Sequence, residues 1–344
     1  VPRAAPLLAF TALALLAVVA LLVGVGAGAA NIPPGEMIEI LRLGQAADSL
    51  RGTVVWDLRL PRVALGFLVG AALSVSGALM QGLFRNPLAE PGLVGVSSGA
   101  ALGAATALVL VNYLPFGQQF GGANWLLPIC AFAGALGVTL AIRQLASSRS
   151  HTSVGTLLLA GIAVNSLIGA LIGLATFLAD DSQLRSLTFW TLGSLGGASW
   201  NIVAWVLPPT LLLLVTAPQL ANGLNALALG EAEAAHLGFR VERFKVIVIL
   251  LTALGVGAAV AFCGLIGFVG LVVPHLIRLA LGPDHRILIP ASAILGGGLL
   301  VLADTFSRIV AVPAEVPIGI VTALIGAPFF LWMLLQQRQR MPWT

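Results

Sequence analysis

Long apolar blocks separated by short polar stretches recur along the whole chain. A helix that crosses a bilayer needs about 20 apolar residues. That rule selects ten segments: Leu7–Ala30, Val63–Phe84, Leu93–Val111, Leu126–Ile142, Val154–Leu178, Asn201–Thr216, Val246–Cys263, Gly267–Leu281, Ile287–Ala303 and Pro317–Leu335. The eighth is short and holds Pro274, which neighbouring helices can accommodate. The first is too long for a signal-peptide core and is expected to be a membrane helix.

The longest polar interruption in the C-terminal half is Gln219–Lys245. Within it, Leu227-Ala-Leu-Gly230 leads into Glu231-Ala-Glu-Ala-Ala-His236, closed by Leu237-Gly238. Glu231, Ala234, Ala235 and Gly238 recur at helical spacing, which predicts one small-residue face on a short helix ended by a C′ glycine. An amphipathic helix lying flat outside a membrane is a docking surface for something soluble. The expectation is a single all-α polytopic membrane domain over residues 1–344, with 219–245 as its docking loop.

Composition strengthens that picture: 59% of residues are hydrophobic and 9% charged, against about 25% charged in soluble domains. Forty glycines suit close helix packing in lipid. The formal charge of +4 does not point to nucleic acid, because the basic residues flank the spans. With the N-terminus inside, eleven of them face the cytoplasm (Arg3, Arg85, Arg143, Arg149, Arg240, Arg243, Lys245, Arg278, Arg286, Arg338 and Arg340). Six face outward (Arg42, Arg51, Arg59, Arg62, Arg185 and Arg308), so the positive-inside rule puts both termini and the docking loop in the cytoplasm.

The span interiors hold no Asp, Glu or Lys, and Arg278, near the end of the eighth, is assigned to the cytoplasmic side. Ion-coupled transporters use ionisable residues at membrane depth, so a secondary active mechanism is disfavoured. Asn165 is the notable polar group inside a span. Cys130, Cys263 and Met80 read as packing residues, Trp56 as an interfacial anchor, and His275 as structural rather than a haem ligand. The only lysine is Lys245, preceded by Phe244, so no Gly-Lys-Ser/Thr phosphate loop exists here. A motor, if there is one, sits on another polypeptide.

Six stretches in order carry a resemblance. They are Arg59-Leu-Pro-Arg62; Gly70-Ala-Ala through Ser76-Gly-Ala-Leu-Met-Gln81; Arg85-Asn-Pro-Leu-Ala-Glu-Pro-Gly92 running on to Gly99; Ala228-Leu-Gly-Glu231; Gly267-Phe-Val-Gly-Leu-Val-Val-Pro-His275; and Pro317-Ile-Gly-Ile-Val-Thr322. From about Arg59 to Leu335 the chain resembles the FecCD-type ABC-importer permeases for ferric siderophores, haem and cobalamin. The resemblance implies ten membrane helices per subunit, a second permease copy (here a homodimer), two cytoplasmic ABC ATPase subunits binding ATP and Mg, and a periplasmic binding protein. The Gly-rich blocks Leu65–Ala104 and Leu254–Leu300 are loosely alike, as in an inverted repeat.

Carried over residue by residue, the resemblance implies ATPase coupling through Leu229, Gly230, Glu231, Ala234, Ala235, Leu237 and Gly238. For Glu231, capping its own helix and contacting a partner both stand. Arg59, Arg62 and Arg308 match outward arginines that hold carboxylates on the binding protein, a task suited to the bidentate guanidinium; snorkelling to headgroups is the plainer reading of the first two. Asn86, Leu88, Thr152 and Ser153 resemble a cytoplasmic gate, although Asn86-Pro87 also suits a turn. Asp304 and Glu315 are candidate loop partners of Arg308. The wording from Leu83 to Leu93 and the segment Gly193–Trp200 look most like bacterial haem permeases, so haem is the expected cargo, with a siderophore or cobalamin as alternatives. No cofactor or metal is expected in the chain itself. A self-contained secondary transporter or a non-transporting scaffold are the rivals from other classes.

Overall fold

The structure is a computed structural model that describes residues 4–28, 32–43, 50–109, 125–148 and 151–340. Arg3, Asn31, Arg149 and Ser150 lie outside the described residues, as do the side chains of His151, Thr152, Arg338 and Arg340. The helices are α1 (Ala4–Gly26), α2 (Pro34–Leu43), α3 (Leu50–Phe84), α4 (Val96–Leu108), α5 (Leu126–Ala146), α6 (Val154–Leu178) and α7 (Asp181–Leu192). They continue as α8 (Trp200–Thr216), α9 (Ala221–Leu229), α10 (Glu231–His236), α11 (Val241–Cys263), α12 (Val269–Leu281), α13 (His285–Ile309) and α14 (Ile318–Arg340). A small antiparallel pair, Ser147–Ser148 with His151–Thr152, joins α5 to α6.

Each of the ten apolar segments contains a helix among the described residues. Among the described residues seven helices are long and apolar enough to cross a membrane, while the apolar stretches of α4, α12 and α14 are shorter. Two boundaries differ from expectation in a way that matters. α3 does not begin at Val63: it runs back to Leu50 through a π-helical turn at Val54–Arg59. α13 does not end at Ala303 but continues to Ile309. Arg62, Asp304 and Arg308 therefore lie inside helices and are buried. Spans free of charge are thus not a property of this fold, and that argument against ion coupling does not hold.

α3 is the hub, buried along most of its length. A Cβ on Gly77 would overlap the Gly270 carbonyl of α12, and one on Gly70 would overlap the Gly296 carbonyl of α13. Absent side chains at these two positions are what let three backbones touch where lipid offers no hydrophobic drive between helices. Ser74 Oγ adds a bond across the same seam, to the Ser292 carbonyl at 2.8 Å. Contacts pair Arg62 with Asp304, Gly70 with Gly296 and Gly82 with His285, so α3 and α13 run antiparallel.

Candidate functional site

At the Arg62 end of the bundle, charged side chains meet below the surface. Arg62 turns one edge to Asp304, with Nε at 3.0 Å and Nη2 at 2.9 Å from its carboxylate. The remaining Arg62 donors reach Glu315, at 3.0 Å from Nη1 and 2.9 Å from Nη2. Arg308 lies one turn beyond Asp304 on α13 and places Nε 3.2 Å from the same carboxylate. Its Nη2 donates to the Gly24 carbonyl at 2.9 Å. Arg59 donates to the carbonyls of Val25 and Gly26, both at 2.8 Å, where α1 ends. These carbonyls have lost their intrahelical donors, and a guanidinium suits them both by geometry and by charge.

The three arginines are therefore not a projecting basic patch. Arg59, Arg62 and Arg308 are 4%, 9% and 7% exposed, and Asp304 is 2% exposed. Sequence reading missed Asp304 as the centre of this cluster because it closed the ninth span one residue earlier. Snorkelling to headgroups does not describe Arg59 or Arg62 either. Glu315, by contrast, keeps nearly half of its side chain in the open.

At the opposite end, residues 219–245 run through α9 and α10 into the first turn of α11. Gly230, at φ 136, separates α9 from α10. Gly238 follows α10 at φ 90, and the Phe239 N–H returns to the Ala234 carbonyl at 3.1 Å, the expected glycine closure. The predicted small-residue face is divided, however. Ala234 is buried, whereas Ala235, Leu237 and Gly238 are exposed. Gly230 is the N-cap of α10 and Glu231 stands in its first turn, where its carboxylate takes Lys245 Nζ at 2.7 Å, and Glu242 shares that ammonium at 3.1 Å. The ion pairs fasten α10 to α11. Two large apolar side chains, Leu229 and Leu237, stand open at either end of α10, at 70% and 61% exposure.

The turn after α3 is set by Asn86, whose Oδ1 accepts the Leu88 N–H at 2.9 Å. Further along, Asn165 of α6 donates to the Gly92 carbonyl at 3.1 Å, pinning the connection between α3 and α4. That is the role of the polar residue left unassigned within the fifth span. Ser153 accepts the Thr156 N–H and caps α6. The structure thus gives Asn86 and Ser153 turn and cap roles. Asn225, which sequence reading passed over, donates to Asp284 at 2.7 Å and links α9 to the start of α13. His275 is buried and packs edge-on against Phe329. Among the described residues no group of three His, Cys, Asp or Glu is placed to hold a metal ion.

Known proteins share this arrangement. A model described as the FecCD transport family matches residues 15–336. The hemin transport system permease protein HmuU of Yersinia pestis is 48% identical over 291 residues, 83% of this chain and 84% of that protein. The cobalamin import system permease protein BtuC of Halobacterium salinarum is 44% identical, covering 83% of this chain and 74% of that protein. The vitamin B12 import system permease protein BtuC of Escherichia coli O9:H4 is 41% identical, covering 95% of this chain and 94% of that protein. Among solved structures, an inward-facing ABC transporter of metal-chelate type superposes with a TM-score of 0.81 at 32% identity, covering 96% of this chain and 99% of that one.

Proposed function

The chain belongs to the FecCD transport family as an ABC-importer permease subunit without catalysis of its own, and we propose on that premise that its cargo is haem. The observation that carries this choice is the 48% identity to a hemin permease, against 44% and 41% to cobalamin permeases. Ferric siderophores and cobalamin are the alternative cargoes. The chain passes haem from a periplasmic binding protein to the cytoplasm by alternating access, as one of two copies around a central pathway in the bacterial inner membrane, with both termini inside.

Two ABC ATPase subunits bind ATP and Mg and seat on the exposed surface formed by Leu229, Ala235, Leu237 and Gly238, backed by Gly230, Glu231 and Ala234. Large apolar side chains exposed at and just beyond the end of the helical run Trp200–Leu229 support this reading, since such patches mark partner surfaces. The gate consists of Asn86 and Leu88 with Thr152 and Ser153. Outside, the binding protein docks through the cluster of Arg59, Arg62 and Arg308. Because these arginines already have internal partners, docking proceeds by exchange: a carboxylate of the binding protein takes the place of half-exposed Glu315 on Arg62. The Asp304 pairing stays in place beneath.

The test is to co-purify the intact complex and follow uptake into proteoliposomes. Haem uptake that needs ATP, with a Soret band on the binding protein, is the expected result. ATP-dependent uptake of cobalamin or a ferric siderophore in place of haem overturns the choice of cargo.

A further inference from the structure

The N-terminal end of α13 is held by the segment that faces the ATPase in this reading. Asn225 Nδ2 donates to Asp284 Oδ1 at 2.7 Å. Its Oδ1 accepts the His285 backbone N–H at 3.1 Å and lies 2.8 Å from His285 Nδ1. The amide orientation is determined by its partners, because a carboxylate only accepts and a backbone N–H only donates. One turn earlier on α9, Asn222 Oδ1 accepts Arg286 Nε at 2.7 Å. Asn222 and Asn225 share a helix face and together grip three consecutive residues, Asp284 to Arg286. Asp284 is also the N-cap of α13, accepting the Arg286 N–H at 3.0 Å.

What lies beyond the clasp makes it consequential. α13 has 25 residues, about 37 Å at 1.5 Å per residue, which exceeds the hydrocarbon thickness of about 30 Å. Its far end carries Asp304, which pairs with Arg62 of α3 and with Arg308 on its own helix, and its middle is pressed backbone to backbone on α3 at Gly296. By contrast, the Lys245–Glu231 pair ties α10 to the next helix in sequence, a local anchor. Apolar contacts between α9 and its neighbours can slide, whereas directional hydrogen bonds to a helix cap pull along the helix axis.

We propose that Asn225 is a positioning residue that makes α9 and α13 move as one body, so that displacement of the ATPase-facing segment reaches the Arg62–Asp304 cluster on the other side of the membrane. This rests on the permease reading above. Force arriving at Leu229 and Leu237 passes through Asn225 to the first turn of α13 and along that helix to the residues where the binding protein docks.

The test uses the intact complex in proteoliposomes and a charge swap. Asn225→Asp sets two carboxylates against each other, and N225D with Asp284→Asn restores a donor–acceptor pair of reversed sense while keeping a capping oxygen. In N225D, ATP hydrolysis is expected to persist while haem uptake per ATP falls about tenfold, a loss on the scale of one charge-assisted bond. The double variant recovers that ratio. Nitroxides on exposed Ala228 and Phe306 read the mechanism without cargo: their separation stays constant on ATP addition in the parent protein and changes in N225D. Parent-level uptake per ATP in N225D overturns the proposal. So does a parallel loss of hydrolysis and uptake that the swap fails to recover. Failure of the permease reading is a different result, seen as no ATP-driven uptake by the parent complex.

Discussion

Arg62 and Asp304, 242 positions apart in the chain, face each other across the α3–α13 seam with two guanidinium nitrogens on one carboxylate. Arg308 approaches that carboxylate from the side at 3.2 Å. A buried carboxylate between two arginines organises one end of the protein, and its removal leaves two desolvated cations.

Asp304→Ala is therefore expected to cost about 3–5 kcal/mol, the usual penalty for breaking a buried pair. Replacing Arg62 and Asp304 together is expected to cost less than the sum of the single changes. Thermal unfolding of the purified permease in detergent measures both.

Glu315→Gln is expected to change stability by no more than about 1 kcal/mol, because its side chain is half exposed. It is also expected to tighten docking of the binding protein, since Glu315 competes for Arg62. Arg62→Gln removes the cation that the incoming carboxylate needs and is expected to weaken docking, more so at low salt, where the attraction it removes is less screened. Affinity measured against salt concentration checks the sign of each.

Gly77→Val is expected to be among the most damaging neutral substitutions in the chain. Its side chain has to displace the Gly270 backbone, and overpacking costs about 1–3 kcal/mol even where side chains alone must move. Folded yield from membranes, compared with Gly137→Val, is the readout; a Cβ at Gly137 meets nothing nearby.

Leu237→Asp and Glu231→Arg separate docking from folding. The first changes an exposed side chain and is expected to reduce ATPase co-purification with thermal stability altered by no more than about 0.5 kcal/mol. The second puts a cation beside Lys245 and is expected to lower stability as well as coupling.

Asp284 gives a pH signature. The Arg286 N–H donated to its carboxylate holds its pKa below the ordinary aspartate value, which is about 3.9. A group whose pKa is depressed on folding contributes stability that is complete above that ordinary value and is lost as pH falls through the folded one. Unfolding of D284N, compared with the parent between neutral pH and pH of about 3, is expected to show a smaller loss on acidification.

Much of this architecture was legible in the sequence because it follows from local composition. Ten apolar blocks became helices, and Gly238 closed α10 as its spacing implied. Two helices were overlooked although their signals were present. α2 starts at Pro34 with Glu36 in its first turn, and α7 opens with a capping box of Asp180 and Gln183. Both are too polar to span, so a search for apolar blocks passes over them. The charge cluster was hidden for a different reason: falling hydropathy closes the ninth span at Ala303, whereas the helix runs on through Asp304, whose carboxylate is met by Arg62 and Arg308. The Asn225–Asp284 clasp joins residues 59 apart, and no local pattern announces such a pairing.

In the proposed function this polypeptide is a conduit driven from its cytoplasmic face by ATPase partners. The most direct measurement is haem accumulation in proteoliposomes holding the permease with and without the ATPase, with binding protein outside and ATP inside. Accumulation only when the ATPase and ATP are both present is the predicted result. Uphill transport by the permease alone on an ion gradient would contradict it.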